Sequence, residues 1–234
     1  MLGGSHAPRV STARTAGLIL LARRPLRDYG PGMGSVPREL AAHPDRLRWN
    51  ARYEGGGAPF SPHPLAVRAL SMRPPDGPVL DLASGPSGSA LAAASAGRRV
   101  TAVDISEVAL GLLGAEAEHR GVSGLITLVQ ADLRAWRPQP RCYALVLCTG
   151  YWDQAVFAPA AEAVAAGGLL GWEAFTIDAR RARPSLPAQW CLRPGEPASL
   201  LPAGFSVVEQ YDLRGEGGSS DQPAAKRRLL ARRR

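Results

Sequence analysis

The sequence predicts an α/β chain built on a doubly wound, mostly parallel sheet, and three observations lead there. From Val79 onward, short apolar runs alternate with helix-like runs, the pattern of a parallel sheet covered by helices on both faces. The first run, Val79-Leu80-Asp81-Leu82, breaks into the small residues Ala83-Ser84-Gly85-Pro86-Ser87-Gly88 before a helix-like stretch. Such a turn lets a ligand approach the backbone and reach the free N–H groups of a helix start. The next run, Val100-Thr101-Ala102-Val103, ends on Asp104. An acid about 20 residues past a glycine-rich turn is the usual partner of the two ribose hydroxyls, so a nucleoside-containing cofactor is expected.

The turn narrows the choice of nucleoside. A dinucleotide site wants G-x-G-x-x-G with a pyrophosphate on the helix start, whereas the corresponding positions hold Ala83, Gly85 and Gly88. The acid Asp81 at the turn's entry would repel a pyrophosphate. It would attract the ammonium and sulfonium of S-adenosylmethionine.

These stretches resemble the class I S-adenosylmethionine-dependent methyltransferases. Val79 to Gly88 is similar to the family's first motif, and Val103-Asp104-Ile105-Ser106, Gln130-Ala131-Asp132-Leu133 and Gly167-Gly168-Leu169-Leu170 follow in order. Within the class the chain is most similar to the small tellurite-resistance-type branch. That likeness rests on Trp49-Asn50-Ala51-Arg52-Tyr53, Tyr151 to Phe157, Trp172 to Thr176 and Leu192 to Glu196. The resemblance implies a Rossmann-like fold with a seven-stranded, mostly parallel sheet and an antiparallel C-terminal strand. It also implies that Asp104 holds the ribose, that Asp132 accepts from the adenine amino group, and that Ile105 and Leu133 sandwich the ring. Trp49 and Tyr53 would cover the cofactor, with Asp81, Ala83, Gly85 and Cys148 lining it.

The remaining elements follow in chain order. A short helix over 46–54 puts Trp49 and Tyr53 on one face, and Gly55-Gly56-Gly57 ends it. Pro59, Pro62 and Pro64 make an extended connector, residues 65–72 resume a helix, and His63 reads as a loop histidine rather than a base. Ser106 caps a helix running to Arg120, which Gly121 stops. Residues 125–129 form the third strand, with Asp132 at its carboxyl end, where doubly wound sheets bind ligands. Residues 143–147, all apolar, are the fourth strand, buried on both faces. The methyl acceptor is expected just beyond it, against Tyr151 and Trp152, with Asp153 the nearest candidate base. A helix over 153–165 leads through Gly167-Gly168 to a fifth strand, 169–175, which carries Glu173 as an acceptor-side or structural acid. Residues 204–211 and 228–231 form the final strands around a loop at 215–223. Arg227 and Arg228 read as edge-strand solubilisers.

Composition bounds the rest. The chain has 234 residues, 45% hydrophobic, and a net charge of +8, which allows one domain with a sizeable core. The basic excess sits at the ends, five arginines before residue 28 and six basic residues from Lys226 to Arg234, leaving a body of about −3. The ends read as solvated tails and no nucleic-acid partner is expected. Residues 1–46 read as a disordered leader and 47–234 as the methyltransferase domain. The apolar run Ala16 to Ala22 is too short to span a membrane and lacks a cleavage site. A cytoplasmic location is expected, or a mitochondrial one if the source is eukaryotic. Cys142, Cys148 and Cys191 make no paired spacing with each other or with histidine, so neither metal nor disulfide is expected. The partner is a small-molecule acceptor carrying a thiol, chalcogen, nitrogen or oxygen nucleophile. Two alternatives stand beside this reading, a methyltransferase-fold protein that binds without turnover and a nicotinamide-dependent oxidoreductase.

Overall fold

The computed structural model describes residues 36–55, 59–214 and 225–234. Seven strands form one sheet: β1 (Val79–Leu82), β2 (Val100–Asp104), β3 (Ile126–Gln130), β4 (Tyr143–Thr149), β5 (Val164–Phe175), β6 (Phe205–Leu213) and β7 (Lys226–Arg233). Their order is β3-β2-β1-β4-β5-β7-β6. The first five run parallel, and β7 lies antiparallel between β5 and β6. The strand order reverses between β1 and β4, so the carboxyl ends of β1, β2 and β4 open onto the crevice where such sheets take ligands.

Among the described residues five α-helices complete the fold: α1 (Pro44–Tyr53), α2 (Pro64–Ser71), α3 (Gly88–Ser95), α4 (Glu107–His119) and α5 (Gln154–Ala163). Each starts on a side chain that accepts a backbone N–H, namely His43, His63, Ser87, Ser106 and Asp153 in turn. The two histidine caps each precede a proline at the first helical position, where its fixed φ and missing N–H cost nothing. Leu65, Leu91, Leu113, Leu145 and Leu147 pack one face of the sheet against α2, α3 and α4. Leu80, Leu170, Trp172, Trp152 and Phe157 pack the other face against α5.

Several expectations need correction. Residues 36–46, assigned to a leader, join the body: Leu40 is buried and α1 already begins at Pro44. The leader up to residue 35 and the loop at 215–223 lie outside the described residues. β5 starts at Val164, not Leu169, because the Gly167-Gly168 pair sits inside a register shift rather than before the strand. The basic segment from Lys226 is neither a solvated tail nor an edge. It is an interior strand whose cations pair with Glu173, Asp212 and Glu162, and β6 is the edge.

Candidate cofactor and acceptor site

The β1–α3 turn is shaped by backbone geometry and by one acid at each end. Ala83 and Gly85 both take left-handed φ, 48° and 56°, and Ser84 N–H bonds to Val103 O at 3.1 Å. Asp81 is 2% exposed. Burial, reinforced by Asp104, pushes its carboxyl up to about 6, against the pull of a hydrogen bond from Ser87. That bond, Ser87 Oγ to Asp81 Oδ2, is 2.6 Å long. The extended segment before α2 rests on the helix start so closely that a Cβ on Gly88 would lie 2.4 Å from the Ser61 carbonyl. Only glycine fits there.

Asp104, at the end of β2, accepts from Gly85 N–H at 2.8 Å through Oδ2 and from Ser106 N–H at 2.9 Å through Oδ1. It ties the glycine turn to the start of α4 while keeping lone pairs free, and burial raises its pKa. Ile105 stands half-buried beside it, and its carbonyl accepts from Gln130 at 3.1 Å. Asp132 follows β3 and accepts from Arg134 N–H at 2.9 Å, with His43 Nε2 3.9 Å from its other oxygen. Leu133 turns into the core, lining a small cavity with Leu82, Trp136 and Val156.

Helix α1 crosses this crevice. Its first residues face Asp132 through His43, its middle is clamped to α4, and its end places the Tyr53 hydroxyl 2.9 Å from where a Gly85 Cβ would be. The clamp is Glu107, whose carboxylate accepts from Arg46 Nε and Nη2, from Asn50 at 2.8 Å and from Gln130 at 2.8 Å. Burial opposes its charge, yet the Arg46 and Asn50 bonds hold its pKa below the ordinary glutamate value. Ser106 Oγ donates to Asn50 Oδ1 at 2.7 Å. Trp49 and Tyr53 stack with centroids 6.0 Å apart. Arg48 lies 5.5 Å from the Trp49 ring and 4.4 Å from Trp190, so the segment after β5 leans on α1. Sequence reading found the aromatic pair but missed the clamp. The signal was Arg46 and Asn50 at i and i+4, one face of α1.

The acceptor-side expectations fare unevenly. Cys148 is fully buried, and burial pushes its thiol well above the usual range, so it stays protonated. Tyr151 is half-buried, and its carbonyl takes the Trp172 indole N–H at 2.9 Å. Trp152 is 5% exposed, packed 5.5 Å from Phe157 and 6.0 Å from Trp172. It is a core residue, not a wall of the acceptor pocket. Asp153 spends one oxygen capping α5, accepting from Ala155 N–H at 2.8 Å, and the other on Arg134 at 2.8 Å. Both oxygens are thus engaged in holding the segment after β4. His63 is likewise committed, Nδ1 accepting from Leu65 N–H at 3.2 Å and Nε2 lying 3.3 Å from Glu173.

Glu173 is the centre of a buried ionic group. Arg228 grips one oxygen twice, at 2.8 and 2.6 Å, and Lys226 reaches the other at 3.0 Å. Burial works against the charge, but His63, Lys226 and Arg228 hold the carboxyl down at about 2. The Glu173 carbonyl also accepts from Gly150 N–H at 2.7 Å, joining this group to the segment after β4. Among the described residues no three His, Cys, Asp or Glu side chains gather to hold a metal ion, and no helix is long and apolar enough to cross a membrane.

Residues 79–168 match the family model of a methyltransferase domain. No protein with a curated function matches the sequence. Among solved structures, one concerned with the conversion of a disulfide bond into a thioacetal group during echinomycin biosynthesis superposes with a TM-score of 0.59 at 18% identity. It covers 81% of this chain and 93% of its own. TehB from Haemophilus influenzae gives 0.59 at 17%, covering 81% and 67%. Geranyl diphosphate C-methyltransferase from Streptomyces coelicolor A3(2), solved with S-adenosyl-L-homocysteine, gives 0.56 at 14%, covering 86% and 91%. The chain therefore shares the Rossmann-like fold of these structures, and the family match falls on residues 79–168, from β1 into β5.

Proposed function

We propose that this enzyme transfers the methyl group of S-adenosylmethionine to a small-molecule acceptor. The observation that carries the reading is the row of acids Asp81, Asp104 and Asp132 at the carboxyl ends of β1, β2 and β3, roofed by α1. A buried carboxylate with a raised pKa at the turn favours a cationic ligand, because a nearby positive charge offsets what burial costs the ionised form. Asp104 keeps acceptor capacity for the ribose hydroxyls, and Asp132 for the adenine amino group. The antiparallel β7 argues against the nicotinamide alternative. The finer placement in the tellurite-resistance-type branch rests on the motif stretches from Trp49 to Glu196.

When bound, the cofactor supplies a methyl carbon already activated by its sulfonium. The protein's part is alignment and exclusion of water. Trp49 and Tyr53 close the crevice with aromatic faces that attract a sulfonium, while Asp153 and His63 are each engaged in structural contacts and Cys148 is buried and protonated. An acceptor that needs no proton removed before attack, such as a thiolate, chalcogenide or neutral nitrogen, suits this setting. Transfer of labelled methyl from S-adenosylmethionine into fractionated cell extract tests this. Label is expected in small molecules. Label in RNA, DNA or protein alone would overturn it.

A further inference from the structure

The group around Glu173 grows more exposed outward. Glu173 is 2% exposed in its side chain, Arg228 11%, His63 25% and Lys226 35%. In the sheet register Glu173 faces Arg228 and Phe175 faces Lys226, at the carboxyl end of β5 and one strand beyond β4. Lys226 Nζ stands 5.5 Å from the Phe175 ring, and the exposed Arg183 stands 5.2 Å from the same ring. Two permanent cations already share the single carboxylate, and Arg183 adds a third. The neighbouring acids Asp178 and Asp212 are paired with Arg181 and Arg227. Arg183 makes no ion pair among the described residues, and Lys226 gives only one of its three N–H donors to Glu173.

We propose that Lys226 and Arg183, both held against the Phe175 ring beside the acceptor crevice, bind an oxyanion of the methyl acceptor, a carboxylate or phosphate distinct from the atom that is methylated. This deepens the methyl-transfer reading and rests on it. Glu173 does not cancel the site. It is saturated by Arg228, His63 and Lys226, and it aims the ammonium, while the surplus charge lies toward solvent. An arginine fork and an ammonium beside it are matched donors for a planar or tetrahedral oxyanion. Lys226 and Arg183 thus select acidic acceptors, and Glu173 acts as a positioning residue.

The test titrates the protein, saturated with S-adenosylhomocysteine, with benzoate, hexanoate and phenyl phosphate against benzamide, hexanamide and phenol. At least one acid is expected to bind tenfold or more tightly than its neutral counterpart. Arg183→Gln and Lys226→Met should each abolish that preference with S-adenosylhomocysteine affinity within twofold, and Lys226→Arg should restore it. Preference for benzoate or hexanoate marks a carboxylate site, and preference for phenyl phosphate a phosphate site. No preference for any acid, or a preference that survives both substitutions, overturns the proposal. Failure of S-adenosylhomocysteine to bind would instead remove the methyl-transfer reading, and the acid-against-neutral comparison on the free protein would still decide the oxyanion site.

Discussion

Ser87 Oγ donates to Asp81 Oδ2 at 2.6 Å while accepting from Ala90 N–H at 3.0 Å, so one hydroxyl joins the buried acid to the start of α3. Asp81 thereby stays in place at the mouth of the turn even when no cation faces it. Its pKa, about 6 against an ordinary 3.8, means the folded protein holds this proton to higher pH than the unfolded chain does. The contribution of Asp81 to stability therefore falls as pH rises from about 4 to about 6. A cationic cofactor prefers the ionised form, so its affinity should rise across that upper range, with proton release on binding near pH 6. Calorimetry in buffers of different ionisation enthalpy measures both, and Asp81→Asn should flatten the profile and weaken S-adenosylmethionine roughly tenfold or more.

Asp104→Ala should cost both binding and stability. It removes the ribose partner and two charge-assisted bonds, from Gly85 and Ser106, each worth about 1.5–3 kcal/mol. A loss of cofactor affinity with an unchanged melting temperature would contradict the cross-linking role.

Glu173→Gln takes the counterion from the half-buried Arg228 and should destabilise by about 3 kcal/mol. In the wild type the carboxyl sits at about 2 rather than 4.5. That stabilisation is complete above the unfolded value and is lost as pH falls from about 4.5 toward 2. Denaturant melts of wild type and variant should therefore differ most at neutral pH and converge in acid.

Trp152→Ala opens a hole among Phe157 and Trp172 and should cost about 3–5 kcal/mol of stability. Thermal unfolding reads this directly. A variant with native stability and selectively lost acceptor turnover would restore Trp152 to the pocket wall.

The parallel strands were legible because strands buried on both faces read as unbroken apolar runs, as in Tyr143–Thr149. The same logic gave no sign of how Trp152 and Asp153 are held. Both follow a strand end where ligands bind, but neighbouring aromatics draw one inward and a helix start claims the other. The basic run of β7 read as a tail because its partners Glu173, Glu162 and Asp212 are far away in sequence, and no local pattern announces a charge neutralised at long range. The clamp on α1 was hidden for the same reason, Arg46 lying 61 residues from Glu107.

The placement of β7 between β5 and β6 sets an order on synthesis. As the nascent chain leaves the ribosome, β6 emerges before the only strand that joins it to the sheet. It therefore waits with both edges unpaired, and its Val207 and Val208 stay exposed even after it has joined the sheet.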